Sequence, residues 1–295
     1  MGDKCIFLLL EDDEKGEKQE VVGVAGLHVD DFLLAGRETS LKYQEAEAKL
    51  QNTFRFGKWD DGEKGFEFAG CNLKQHQDYS ITLDQETYTN KWVEEIQIDP
   101  SRSKKSELTK QETSAVRAAL GSVSWKATQT GPQYLAETSL FLSEVNRDTV
   151  DLMYRINRMI RDMKKAAAQK LLFPAWNVEI SELAVMTWSD ASNHNRYDKS
   201  SALGVLTGVG PRSALTGEEV QLALVQWKSG KCPRQCLGSN GAEVQAVTVG
   251  EDQNFQVWNY VVKYLKVINY MIKLPEYQEL LLWTAGESLT RQRET

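Results

Sequence analysis

The chain has 295 residues, 41% of them hydrophobic and 26% charged, a composition that excludes whole-domain disorder and leaves room for two compact units or three small ones. A net charge of −7 and a pI of about 5.3 speak against a free-standing nucleic-acid binder, because phosphate contact normally calls for a basic face. No secretory signal is readable and the early apolar run 6–10 is far too short for a bilayer, so the expectation is a non-membrane, intracellular protein, cytoplasmic or nuclear, with Cys5, Cys71, Cys232 and Cys236 as reduced thiols.

Residues 11–20 hold six acids against two lysines, which places much of the excess charge in one loop. Residues 21–28 are rich in β-branched side chains, and 32–35 form a second apolar run. With Val29, Asp30 and Asp31 between them, these runs predict a β-hairpin. A helix is expected over 40–54, with Ser40 as its N-cap and Tyr43, Ala46, Leu50 and Phe54 on one face. Residues 66–73 and 79–83 predict a second hairpin turning near Gln77–Asp78, and 85–96 a further helix. The polar stretch 99–107 is the first plausible linker.

Thr109 with Glu112 three residues on has the form of a capping box and starts a helix over 109–128, which Gly131 and Pro132 interrupt. Over 151–165, Leu152, Ile156, Met159, Ile160 and Met163 share one helical face. Pro174 closes that region. Beyond it the pattern changes to strands over 184–189, 202–209 and 220–228, then a long helix over 241–272 and a short strand over 280–283. Strand–strand–strand–helix–strand is an α/β signature with an antiparallel start.

Asp30 and Asp31 at a hairpin tip are the sharpest chemical feature of the first half. Adjacent carboxylates repel unless a cation sits between them, and paired Mg²⁺ ions can clamp the attacking and leaving oxygens of a phosphoryl transfer. The plain alternative is that Asp-Asp is a good turn dipeptide. The string Gly26-Leu27-His28-Val29-Asp30-Asp31-Phe32-Leu33-Leu34-Ala35-Gly36 resembles the Tyr-Val-Asp-Asp hairpin of copia-like reverse transcriptases, with His28 in the tyrosine position. Phe68-Ala69-Gly70-Cys71, the segment Ile81–Tyr88 and Leu120-Gly121-Ser122-Val123-Ser124-Trp125 resemble later stretches of that family in the same order. The Thr-Arg-Pro-Asp that follows in the family is here Thr130-Gly131-Pro132-Gln133.

The resemblance continues in the last third. Ser189-Asp190-Ala191-Ser192, the segment Gln226–Lys231 and Ser239-Asn240-Gly241-Ala242-Glu243 are similar to the family's ribonuclease-H strings, and imply Asp190 and Glu243 as ligands of one shared metal. Each has a structural alternative: Asp190 as a strand-end turn residue, Glu243 as the partner of Asn240 in a capping box. The family's third acid falls at Ala285, with Glu287 two residues on and off the strand. Asp252 lies nine residues after Glu243, on the opposite side of a helix.

The resemblance therefore implies the C-terminal part of a copia-like retrotransposon Pol polyprotein, of mixed α+β and α/β class. A partial reverse-transcriptase palm of antiparallel hairpins and helices would occupy 1–100, a helical thumb or connection 101–178, and a C-terminally truncated ribonuclease-H-like mixed sheet 179–295. The family's activities are RNA-directed DNA polymerase and ribonuclease H, using Mg²⁺ or Mn²⁺ on an RNA–DNA hybrid. The third polymerase carboxylate would precede Met1, in the remainder of the Pol polyprotein, so polymerase activity is not expected from this chain alone. A catalytically impaired fragment is the leading expectation. The alternatives are a non-enzymatic nucleic-acid or protein interaction module, and a working metal-dependent ribonuclease H completed by Glu287 or Glu251.

Lesser signals are weighed alongside. Cys232 and Cys236 without a second ligand pair read as free thiols rather than a zinc site. The six bases of 155–170 read as a solvated helix face before a phosphate-binding one, and Trp125 and Tyr134 as core before base-stacking platforms.

Overall fold

The computed structural model describes residues 5–12, 19–29, 31–54, 59–60, 62–146, 149–178 and 180–261. Mixed α and β elements form three antiparallel sheets and six α-helices among these residues. None of the described helices is long and apolar enough to cross a membrane. The expected strand at 280–283, Ala285 and Glu287 lie outside the described residues, as does Asp30.

The first sheet has the order β1 (Ile6–Asp12), β2 (Gln19–His28), β3 (Asp31–Gly36). The expected acidic hairpin is β2–β3, closing at His28↔Asp31. Val22, Leu33 and Ala35 are buried on one face. The other face receives α1 (Leu41–Thr53), whose N-cap is Ser40, as the sequence predicts; its hydroxyl accepts from the Tyr43 amide. Tyr43 lies flat against the backbone at Gly36: a Cβ there would fall 2.1 Å from two ring carbons. Only glycine permits that approach.

The stretch expected to be one strand over 66–73 is two. β4 (Phe66–Phe68) turns back into β5 (Cys71–Gln75) through Ala69 and Gly70. Both have positive φ, 49° and 75°, which is the two-residue turn whose twist suits a hairpin. β5 pairs with β6 (Ile81–Asp84) around a turn at residues 77–80. A fourth strand, β7 (Leu171–Phe173), joins β6 from far along the chain. The second sheet thus ties residues of the expected palm segment to residues of the expected thumb segment.

The helix expected over 85–96 stops early. α2 (Glu86–Trp92) gives way to extended chain at Val93, where the Asn157 side chain holds both main-chain groups of Ile96, accepting at 2.7 Å and donating at 2.8 Å. α3 (Lys110–Gln129) opens with the expected reciprocal capping box between Thr109 and Glu112. α4 (Leu135–Glu144) has no counterpart among the expected helices, and α5 (Val150–Lys165) matches its expectation within a residue. Val116, Leu120, Val123, Phe141, Leu152, Met153, Ile156, Ile160 and Met163 form one buried core between these helices.

The last sheet has the order β10 (Ala223–Lys231), β9 (Ala202–Pro211), β8 (Leu183–Ser192), all antiparallel. α6 (Ser239–Tyr260) packs on β8 and β9. Leu203, Val205, Cys232, Cys236, Ala242 and Ala246 are buried between helix and sheet. On the far face of the sheet, the Trp227 indole donates to the Ala127 carbonyl of α3 at 2.9 Å.

Candidate metal-ligating carboxylates

At the β2–β3 tip, Val29 has φ 58° and is 84% exposed. Asp31 is the first residue of β3 and is exposed. Strand alternation puts it on the face shared by His28, Leu33 and Ala35. The His28 ring tilts against Phe68, with centroids 6.2 Å apart, so this end of the hairpin abuts the β4–β5 turn. Whether Asp30 joins Asp31 there lies outside the described residues.

Asp190 does not end its strand. β8 runs on to Ser192, in unbroken register with β9, and Asp190 pairs with Gly204. Which face it takes follows from the packing of α6. A Cβ on Gly250 would lie 3.2 Å from Thr187 Cγ2 and 3.3 Å from Ser189 Cβ. Asn254 Nδ2 donates to the Val185 carbonyl and to Thr187 Oγ1, at 3.2 and 3.1 Å. Ala191 packs with Ala242 and Ala246. Odd-numbered residues of β8 therefore face α6, and the helix runs antiparallel to the strand. Alternation turns Asp190 to the opposite face, with exposed Trp188.

Glu243 lies in the second turn of α6, half-buried, beside Cys232. Strand alternation thus turns Asp190 to the face of β8 away from α6, the helix that carries Glu243. The capping-box alternative for Glu243 is not formed: the N-cap is Gly238, without a side-chain bond. Glu251 is exposed further along α6. Among the described residues there is no group of three or more His, Cys, Asp or Glu placed to hold a metal.

The basic run of α5 is engaged with acids. Arg155 bonds Glu144 and lies 3.4 Å from Asp151; Arg161 meets Glu95 at 2.5 Å, Arg158 meets Glu137 at 4.0 Å, and Lys165 meets Asp162 at 3.2 Å. Lys170, beyond the helix, pairs with Asp84 at 3.3 Å. A helix face neutralised in this way offers little net charge to a phosphate backbone.

The polar cluster that sequence reading did not single out is buried between β5, β6 and α3. Lys126 is 2% exposed. Its ammonium donates to Thr130 Oγ1 at 2.8 Å, Thr130 donates to Gln85 Oε1 at 3.0 Å, and Gln85 Nε2 donates to the Gly70 carbonyl at 3.4 Å. Asp84 accepts from Asn72 Nδ2 at 2.7 Å and from the Glu86 amide at 3.0 Å. Burial holds the Lys126 ammonium below its ordinary range, against the pull of nearby Asp84 and Cys71. Burial pushes the Cys71 thiol up to about 12. A signal existed: Lys126 continues the spacing of Val116, Leu120 and Val123 on the buried face of α3.

Cys232 and Cys236 are also buried, 2% and 4% exposed. They belong to the loop between β10 and α6. Burial, and then the neighbouring Cys236, raise the Cys232 thiol above its ordinary range.

No protein-family model matches the chain, and neither does any curated protein or solved structure.

Proposed function

We propose that the chain is a segment of a copia-type Pol polyprotein, carrying the end of a reverse-transcriptase palm, a helical thumb or connection and a ribonuclease-H-like module, and that it is catalytically impaired. The observation that carries the proposal is the order of elements around the resembling strings. An antiparallel hairpin places Asp31 at its tip. Small paired strands and a helical core follow. A three-stranded antiparallel meander then leads into a helix laid back on its first strand. That order suits the resemblance; the carboxylate pair does not carry it. Ala285, which stands where the resemblance calls for a third acid, supports the impaired form of the proposal over a working nuclease, because two-metal hydrolysis needs its full set of ligands.

The test is an RNA–DNA hybrid incubated with the chain in Mg²⁺ and in Mn²⁺, alongside the Asp190→Asn and Glu243→Gln variants. The expected result is no cleavage above either variant; hybrid binding that weakens as salt is raised, again without cleavage, would favour the interaction-module alternative. Metal-dependent cleavage that Glu243→Gln abolishes would establish a working ribonuclease H instead. Absence of hybrid binding at low salt would remove the nucleic-acid part of the proposal.

A further inference from the structure

The loop 193–201 joins β8 to β9 and lies against α4. Between loop and helix is an open cavity of about 570 Å³, lined by Glu144, His194, Asn195, Arg196, Tyr197 and Lys199. Its size falls in the range of small-molecule pockets, about 300–1,000 Å³. The loop is held from several directions. Arg196 Nη1 donates to Ser139 Oγ of α4 at 2.8 Å, and the Tyr197 amide to Ser143 Oγ at 3.4 Å. Within the loop, the Lys199 amide donates to the Arg196 carbonyl at 2.9 Å and the Arg196 amide to the Ser200 carbonyl at 3.2 Å. His194 Nε2 lies 3.1 Å from the Cys236 carbonyl; a carbonyl only accepts, so Nε2 carries a proton. His194 and Lys199 hold φ of 54° and 60°, values that persist in residues with a side chain where the surroundings enforce them.

The charges around the cavity are unevenly matched. The acid in the lining, Glu144, bonds Arg155. Asp198, in the same loop, pairs with Lys231 at 2.8 Å. Arg196 and Lys199 have no carboxylate partner among the described residues. The Arg196 guanidinium instead meets a neutral hydroxyl through Nη1, and its buried Nε has no acceptor. A guanidinium is always charged and offers five donors in a rigid fork. Held at one corner by Ser139 and unmatched in charge, it is placed to receive an oxyanion.

We propose that this cavity binds a phosphate group, with Arg196 as its principal donor and Lys199 as the second cation. Ser139 keeps the guanidinium from turning away. The group comes from a small phosphorylated molecule or from a nucleic-acid backbone, and the recognition chemistry is the same for both. The site does not depend on the Pol origin of the chain.

The experiment titrates sodium phosphate into the full-length chain in a phosphate-free, low-salt buffer and reads the heat. The expected result is saturable binding. Arg196→Gln should weaken it by about ten-fold or more, the worth of a hydrogen bond to a charged group. Lys199→Gln should weaken it several-fold, and Lys110→Gln, at an exposed position of α3, should leave it unchanged. Ser139→Ala removes the tether and no charge, so it should weaken binding several-fold and reads the site even where Arg196→Gln fails to fold. A single-stranded oligonucleotide without terminal phosphates then identifies the source. Competition between it and phosphate assigns the site to a nucleic-acid backbone; phosphate binding that it leaves untouched assigns the site to a small phosphorylated molecule, and each result keeps the site. Heat that never saturates, saturable binding that Arg196→Gln and Lys199→Gln leave unchanged, or an equal loss in Lys110→Gln would each overturn the proposal.

Discussion

Substituting Cys71 by alanine isolates one term in the stability of the second sheet. Cys71 is 1% exposed and packs with Leu73, Ile81 and Leu83. An unfolded chain loses this proton near the ordinary value of 9.0, whereas burial keeps the folded thiol protonated up to about 12. Between those values the folded state binds more protons, so stability falls as pH rises. At 1.36 kcal/mol per pKa unit the whole window is worth about 4 kcal/mol, and raising the pH to ~10.5 spends about 2 kcal/mol of it. Lys126 acts in the opposite sense. Its folded value lies below 10.5, the unfolded state holds the extra proton just below that pH, and stability there rises with pH. While Cys71 stays protonated this contribution is shared by both proteins; once the thiol ionises, its pull on Lys126 is present in the parent alone. At pH ~7.5, Cys71→Ala should cost about 1 kcal/mol for the lost sulfur and the small void. By pH ~10.5 that deficit should have vanished or reversed, because the variant escapes the alkaline loss of about 2 kcal/mol. Urea unfolding followed by tryptophan fluorescence at the two pH values measures both differences. Parallel pH profiles for the two proteins would refute the reasoning, and with it the buried, proton-holding environment assigned to Cys71.

Two further perturbations address how the elements are held together. Asn157→Leu leaves the buried amide and carbonyl of Ile96 without partners. At about 1–3 kcal/mol per unsatisfied group, the substitution should cost about 2–6 kcal/mol, read as a lowered urea midpoint. Gly36→Ala drives a methyl to 2.1 Å from the Tyr43 ring. Overpacking of that kind costs about 1–3 kcal/mol, so α1 should lift from the first sheet, and limited proteolysis should cut within 41–53 faster than in the parent.

What the sequence made legible was whatever had a local cause. The acidic hairpin followed from two apolar runs and a turn. The capping box of α3 and the apolar face of α5 followed from spacing alone, and both match the structure. Elements whose cause is distant were missed. β7 is three residues long and exists because Ile81 to Leu83 offer it an edge. Nothing in residues 171–173 announces that partner. The early end of α2 is imposed by Asn157, sixty-one positions away. The Ala69-Gly70 turn was read through because alanine seldom marks a positive φ, and the run on either side is apolar. For the candidate site, the sequence correctly put one carboxylate on a strand and another at a helix start. It could not tell which face each would take: that depends on the register of β8 against β9 and on where Gly250 lets the helix descend.

The same geometry explains how the last module keeps its packing with no ion required to hold it together. α6 meets the sheet through Ala242, Ala246 and Gly250, residues small enough for the helix backbone to settle on Thr187, Ser189 and Ala191. Apolar burial and the Asn254 bonds fix that contact, and neither involves a carboxylate. Converging acids in a metal site repel one another when the ion is absent, which costs stability. Turning Asp190 to the exposed face and leaving Glu243 beside Cys232 removes that repulsion. A slip of β8 by one residue against β9 would bury Trp188 and Asp190 under α6 and expose Thr187 and Ser189 on the far face.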